Sequence, residues 1–315
     1  MKYIFFLLCL SAGSGFAHPG IGIVKDSKGN IYYTNLEYVL KISANGRKTI
    51  AVKNVHTHEL YMDKQDNLYG QHSMYSGEAT NQWSHYVWNL SSTGKLDTII
   101  KHTKGFYIEN FSFVHDDAGN MYWIQLGKDD KIIKSGTKKK VVLATGDFKQ
   151  VQWMHLMGNT LYFVKLDDIY CIDSIDKVRL IAKGLGKKPG SHNALFGLWS
   201  DKQHNLYVAN TDFKKVQRIF QNGEVKDYYY SEKGWMPTGG VFDDAGNLWL
   251  LEASLSNKVR VQKINHDKPA KGNNIKKLSY NNIIPRVAVA ASVITFLLSV
   301  IYFEKKYKKN SKAGA

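Results

Sequence analysis

Along the middle of the chain, short strands of alternating apolar and polar residues are punctuated by a recurring phrase. An apolar strand ends in Asp, two or three polar residues follow, and an Asn then opens a second apolar or aromatic strand. The copies run from Gly22–Asp26 into Asn30–Tyr33, Leu60–Asp63 into Asn67–Tyr69, Phe113–Asp116 into Asn120–Trp123, Leu198–Asp201 into Asn205–Val208, and Val241–Asp243 into Asn247–Leu250. A degenerate copy, Met154–Phe163 around Gly158 and Asn159, fills the long gap. With the Asn as phase marker the spacings are 37, 53, 39, 46 and 42 residues, which makes six units. Period-two alternation suits a pleated, half-buried strand, and Asp and Gly-Asn supply turn conformations that β-branched residues resist, so each phrase predicts a β-hairpin. A weaker second hairpin follows each one: Tyr38–Ile42 with Thr49–Val52, Tyr86–Leu90 with Leu96–Ile100, Ile132–Lys134 with Lys140–Leu143, Ile169–Asp173 with Val178–Ala182, Val216–Phe220 with Glu224–Tyr229, and Val259–Ile264 with Ile275–Tyr280. Six units of four strands predict an all-β chain closed as a six-bladed β-propeller over residues 18–281, in which radial packing buries both faces of each sheet.

The two ends carry a different pattern. Residues 1–17 read as Lys2, the apolar run Tyr3–Leu10 and small residues ending at Ala17, the form of a cleavable secretory signal peptide. Cys9 would leave with it, so Cys171, inside the apolar run Ile169–Ile172, would be the single mature cysteine and reads as a small buried hydrophobe. Residues 282–303 contain Val287–Phe303, apolar all round and about 25 Å long at about 1.5 Å per residue, extended by Ile283 and Ile284 past a snorkelling Arg286. This predicts one transmembrane helix. Lysines 305, 306, 308, 309 and 312 follow at once in the tail 304–315. Such a cluster stays on the cytoplasmic side, so the expectation is a single-pass membrane protein with its N-terminal domain outside, periplasmic or extracellular.

Composition refines this picture without redirecting it. The 315 residues carry 43 Lys and Arg against 27 Asp and Glu, with 26 Gly and five Pro, a mixture that excludes a collagen, a disordered chain and a polytopic membrane protein. Within 18–281 there are 36 basic and 26 acidic residues, scattered along strand segments and often paired, as at Lys187-Lys188 and Lys214-Lys215. No nucleic-acid module is present. For an exported domain the excess favours an anionic surface, a glycan or a small acid as partner, and no nucleic acid.

The phrase in the forms Asp117-Ala118-Gly119-Asn120-Met121-Tyr122 and Asp244-Ala245-Gly246-Asn247-Leu248-Trp249 resembles NHL-repeat proteins and the related gluconolactonase and senescence-marker-like propellers, over roughly 18–281. That resemblance implies the propeller fold. It leaves activity open among lactonases, other hydrolases, lyases and plain binding modules. It also implies an axial divalent metal held near the start of the innermost strands. The corresponding positions here are Ile21, His58, Phe111, Phe196 and Thr238, and Thr238-Gly239 stands where an Asp-Gly pair is expected. Calcium wants six or more hard oxygens, which this set does not offer.

Histidines and acids nevertheless gather at the strand mouths: His56-Thr57-His58-Glu59, Gln71-His72, Glu109-Asn110 and His192-Asn193. Asn35, His72, Gln125, Asn210 and Glu252 occupy equivalent positions at the ends of second strands and would form a ring. Two functions follow. In the favoured one the propeller binds a small acidic ligand, a glycan or a protein at its axial mouth, with Asn35, Gln125, Asn210, Thr238 and Trp235 as ligand contacts. In the alternative, His58, His72, Glu109, His192 and Glu252 hold one divalent metal, zinc or another first-row ion rather than calcium, for a lactonase- or esterase-like hydrolase or a lyase. His56 and His58, two apart on a strand, share a face, and Glu59 points to the other. His155, near the turn of the degenerate unit, reads as structural. No Ser-His-Asp or Cys-His signature is readable.

Overall fold

The computed structural model describes residues 19–75, 82–104, 112–136, 139–174, 177–191, 193–256 and 258–265. The expected leader, the fourth strand of the sixth unit at 275–280, the apolar segment 282–303, the tail, and the candidate residues Glu109 and His192 lie outside them.

Six antiparallel meanders follow one another. The first is β1 (Ile23–Lys25), β2 (Ile31–Thr34), β3 (Tyr38–Ile42) and β4 (Lys48–Lys53), and the second is β5 (Leu60–Met62), β6 (Leu68–Tyr75), β7 (Trp83–Leu90) and β8 (Leu96–Lys104). The third shows β9 (Met121–Gln125), β10 (Asp130–Ser135) and β11 (Lys140–Gly146), with an isolated bridge from His115 to Met121 on its inner side. The fourth, the degenerate unit, is a full sheet of β12 (Val151–Met157), β13 (Thr160–Lys165), β14 (Asp168–Ile172) and β15 (Val178–Ala182). The fifth is β16 (Leu195–Ser200), β17 (Leu206–Asn210), β18 (Lys215–Ile219) and β19 (Val225–Tyr230), and the sixth shows β20 (Trp235–Phe242), β21 (Leu248–Ser254) and β22 (Val259–Ile264). The sixfold count expected from the Asn spacing is the count observed.

The repeated phrase has one structural job. The carboxylate of Asp26 accepts the backbone N–H groups of Lys28 and Asn30, the Asn30 side-chain amide and the Tyr32 hydroxyl. Asp63, Asp116 and Asp201 repeat all four bonds on their own turns, and Asp243 bonds Asn247 and the Trp249 indole. One carboxylate thereby satisfies the loose donors of a tight turn and pins the aromatic ring that starts the next strand. The residue before each Asn is left-handed: Gly29, Asp66, Gly119, His204 and Gly246 have φ of 77°, 61°, 78°, 58° and 81°.

The ring closes by side-chain packing between neighbouring sheets. Val39, Leu60 and Trp88 join the first to the second; Ile132, Leu161 and Phe163 the third to the fourth; Ile169, Leu195 and Leu206 the fourth to the fifth. Tyr207, Leu248 and Leu250 join the fifth to the sixth, and Ile31 with Leu251 brings the sixth back to the first. Between the second and third, the rings of Tyr61 and His115 stack at 4.1 Å. Cys171 is buried and free, as its apolar run predicts.

Candidate functional site

Inner strands of all six sheets surround one cavity of about 380 Å³ on the propeller axis, lined among others by Lys25, Glu59, Tyr61, His155, Trp199 and Ser200. Two of its ionisable groups, Glu59 and His155, are displaced by burial alone. Glu59 directly precedes β5; protein surrounds its carboxyl while part of its surface stays open to the lumen. Among the described residues no hydrogen bond or ion pair reaches that carboxyl, and burial alone pushes its pKa up to about 7. His155 faces the same lumen from β12 and shares a 2.9 Å hydrogen bond with the Ser200 hydroxyl across the junction of the fourth and fifth sheets. Burial pushes the His155 imidazole down to about 4, so it is neutral at physiological pH.

Sequence reasoning missed this pair. Strand alternation points Glu59 to the face opposite His56 and His58, and that face is the lumen. His155, expected near a turn with a structural part, lies within a strand and lines the cavity. The Ser200–His155 contact is one component of a nucleophilic dyad, but such a pair works by forming an imidazolium held by a carboxylate. Here the surroundings disfavour imidazolium, and among the described residues no carboxylate bonds His155.

The residues expected to form a ring are held individually. The Asn35 carboxamide oxygen accepts the backbone N–H groups of Glu37 and Tyr38 and shapes the β2–β3 turn. Asn210 accepts the Phe213 N–H and donates to the Leu185 carbonyl and the Gln217 side chain. Glu252, fully buried, takes the Arg260 Nε–H at 2.7 Å, and the Arg260 guanidinium lies 4.2 Å over the Trp235 ring. Thr238 is fully buried with its hydroxyl 3.4 Å from the Leu251 carbonyl, and Gln125 is half-buried at the end of β9. Imidazoles, by contrast, do gather at the second sheet. His72 Nδ1 accepts the His56 backbone N–H at 2.9 Å, and the Nε2 atoms of His56 and His58 are 3.0 Å apart. Burial, with His56 nearby, lowers the His72 pKa. Among the described residues no three His, Cys, Asp or Glu side chains converge in a way that could hold a metal ion.

The calcium implied by the family resemblance does not fit this chain. Ile21 and Phe196 are apolar, His58 offers nitrogen, and the single hydroxyl of Thr238 is enclosed in the sheet, so the hard-oxygen shell is missing.

The basic excess also has a definite place. Strand register sets Lys41 opposite Tyr32, Lys134 opposite Tyr122, Arg218 opposite Tyr207 and Lys263 opposite Trp249. The three lysines lie 5.1–5.2 Å from those ring centres, and Lys134 and Lys263 also pair with Asp116 and Asp243 of the turns. Burial works against ionisation of Asp116, and the bonds from Lys134 and Asn120 still hold it well below the usual carboxylate range. These cations belong to the architecture of the turns. Lys25, the one lysine among the described residues that line the lumen, is bonded to Asp244 at 2.7 Å.

No protein-family model matches the sequence, and no curated protein matches it. Solved structures share the fold. An auxiliary nutrient binding protein from Bacteroides thetaiotaomicron superposes with a TM-score of 0.55 at 10% identity, over 78% of this chain and 68% of that one. A gluconolactonase from Xanthomonas campestris gives 0.50 at 11% identity, over 73% and 81%; virginiamycin B lyase from Staphylococcus aureus gives 0.43 at 14%, over 78% and 84%. At these identities the likeness to the nutrient binding protein and the gluconolactonase supports the propeller fold and nothing about chemistry.

Proposed function

We propose that this chain is a membrane-tethered, extracytoplasmic binding propeller whose axial cavity takes a small, uncharged, hydroxyl-rich ligand of the saccharide class. The observation that carries the reading is the Glu59 carboxyl, enclosed in a cavity of about 380 Å³ with no cation or donor beside it among the described residues. A carboxyl left without partners in a pocket is a strong acceptor for ligand hydroxyls, the neutral His155 and Ser200 add further polar contacts, and Tyr61 and Trp199 supply ring faces to the wall. Of the three ligand kinds expected from the sequence, a small acid is the least suited, because Lys25, the one lysine among the described residues that line the lumen, is already paired. The tether and the outside location rest on the signal-like residues 1–17 and on the apolar stretch 282–303 with its lysine flank.

Calorimetric titration of the purified full chain with neutral mono- and disaccharides, sugar acids and amino sugars tests the binding reading. At about pH 8, where the Glu59 carboxyl is ionised, a neutral saccharide should bind, and Glu59→Gln should weaken it about tenfold or more, since a hydrogen bond to a charged group is worth about 1.5–3 kcal/mol. Preference for the sugar acids, or indifference to Glu59→Gln, rejects it. Protease protection of the tail 304–315 in intact cells tests the orientation.

A further inference from the structure

At the rim of the second sheet, the chain holds two imidazoles in a preset relation. The His56 and His58 Nε2 atoms are 3.0 Å apart, and their rings meet edge to face at 77°. The segment carrying them is fixed from both sides. The Thr57 hydroxyl donates to the Gln71 carbonyl and accepts the Trp88 indole N–H, while the Thr57 carbonyl accepts the Thr34 hydroxyl. Trp88 in turn lies flat on Gly70, where an added Cβ would sit 2.1 Å from the ring, so the indole has little room to shift. The tautomer of His56 is set as well. Its Nδ1 lies 3.1 Å from the Leu36 carbonyl, an acceptor only, so Nδ1 carries the proton and Nε2 presents a lone pair. A backbone carbonyl on the far nitrogen is the usual outer-shell support of a metal-binding imidazole.

We infer that the His56–His58 pair is a two-nitrogen site for a first-row divalent metal ion of tetragonal preference, cupric ion before nickel and zinc. Bonds of about 2.0–2.1 Å to two nitrogens 3.0 Å apart subtend an angle of about 94°. That is a cis pair on a square-planar or octahedral ion and is too acute for tetrahedral zinc, and the affinity order among divalent ions also places copper first. Both imidazoles bind as neutral ligands. In the metal-free molecule the 3.0 Å contact is a hydrogen bond from His58 Nε2–H to the His56 lone pair. On binding, His58 moves that proton to Nδ1, both Nε2 lone pairs turn to the ion, and no proton is lost. His72 is not a third ligand through Nδ1, which the His56 N–H occupies. Water or a ligand group completes the coordination, consistent with the absence of any three-residue cluster among the described residues. This site is separate from the axial carboxyl, and its test uses no saccharide, so either reading can fail alone.

The experiment is equilibrium dialysis of the purified full chain against cupric chloride, with electron paramagnetic resonance of the bound ion. One ion per chain is expected, with hyperfine coupling to two nitrogens. His56→Ala and His58→Gln should each lower affinity at least about tenfold, the smaller end of what losing even an outer-shell partner costs, and should leave fewer than two coupled nitrogens. The second variant keeps a polar side chain of similar reach, and thermal unfolding confirms that both fold. His204→Ala, which removes an exposed imidazole from a distant turn, should bind as the parent does. The inference is overturned by a parent that binds no ion, by variants that bind like the parent, or by loss of binding in His204→Ala.

Discussion

Glu59 and His155 share one lumen and are displaced in opposite senses by the same cause, burial without a charged partner. Their effects on stability therefore oppose. For Glu59 the folded pKa, about 7, lies above its ordinary 4.5, so the folded state holds the proton more tightly, and stability is lost as pH rises from about 4.5 through 7. For His155 the folded pKa, about 4, lies below its ordinary 6.5, so the unfolded state takes up the proton first, and stability is lost as pH falls from about 6.5 through 4. Each slope is at most about 1.4 kcal/mol per pH unit, and water reaching the lumen lowers both. In the overlap, pH 4.5–6.5, these two contributions cancel. The unfolding free energy of Glu59→Gln relative to the parent should fall steadily as pH is lowered across that window, and that of His155→Gln should fall as pH is raised through it. Urea titrations at pH 4.5, 5.5 and 6.5 measure both, and parallel curves for parent and variants refute the assignment of either group to the enclosed lumen.

At the scale of the element, the turn is the part of this fold that the sequence spells out. Asp at one end and Asn four residues on leave their mark because each forms bonds the turn cannot do without, and so the six units and nearly all second hairpins are legible. The residue between them tells a finer story. In three turns it is glycine, which adopts a left-handed backbone freely, whereas His204 holds φ of 58° on an exposed turn with a Cβ that disfavours it by about 1 kcal/mol. His204→Gly should raise the unfolding free energy by about 0.5–1 kcal/mol. Asp66, at φ 61°, should gain nothing from the same change, because its carboxylate accepts the Ser27 backbone N–H and hydroxyl from the neighbouring sheet. Chemical denaturation of the two variants side by side separates backbone strain from side-chain bonding; a destabilised His204→Gly contradicts the strain. What the element-level pattern could not supply is facing. Register shifts interrupt the first strand pair of three sheets, between Val151 and Trp153, Leu195 and Leu198, and Pro237 and Gly239. Counting by twos therefore loses track of which side meets the axis. That is why Thr238 and Glu252, expected at a mouth, are enclosed within the sheet and its ion pairs, while His155 turned out to line the lumen.

Over the whole molecule, the question is what keeps six sheets in a ring around a cavity. Surface ion pairs do cross the seams on both sides of the last sheet: Asp244 bonds Lys25 of the first sheet at 2.7 Å and Lys202 of the fifth at 3.2 Å. Asp244 is well exposed, and pairs of that kind contribute little once solvent screens them. The inner strands tell otherwise. A Cβ on Gly239 would lie 2.3 Å from the Ile21 carbonyl oxygen and 3.1 Å from its carbon, and one on Gly197 would lie 2.8 Å from the Thr238 carbonyl. Backbone therefore packs directly on backbone where the ring closes, and neither strand can yield without moving its whole sheet. Gly239→Ala should destabilise by about 2–3 kcal/mol, the cost of overpacking a rigid contact, or about 5–10 °C in Tm for a domain this size. Asp244→Ala should leave Tm nearly unchanged. Because the same closure sets the width of the lumen, a Gly239→Ala protein that still folds should also bind the axial saccharide more weakly, while Asp244→Ala binds as the parent does. Thermal unfolding and calorimetry on the two variants decide the matter: a large loss in Asp244→Ala, or a silent Gly239→Ala, means the ring is held by its charged rim rather than by the close approach of its innermost strands.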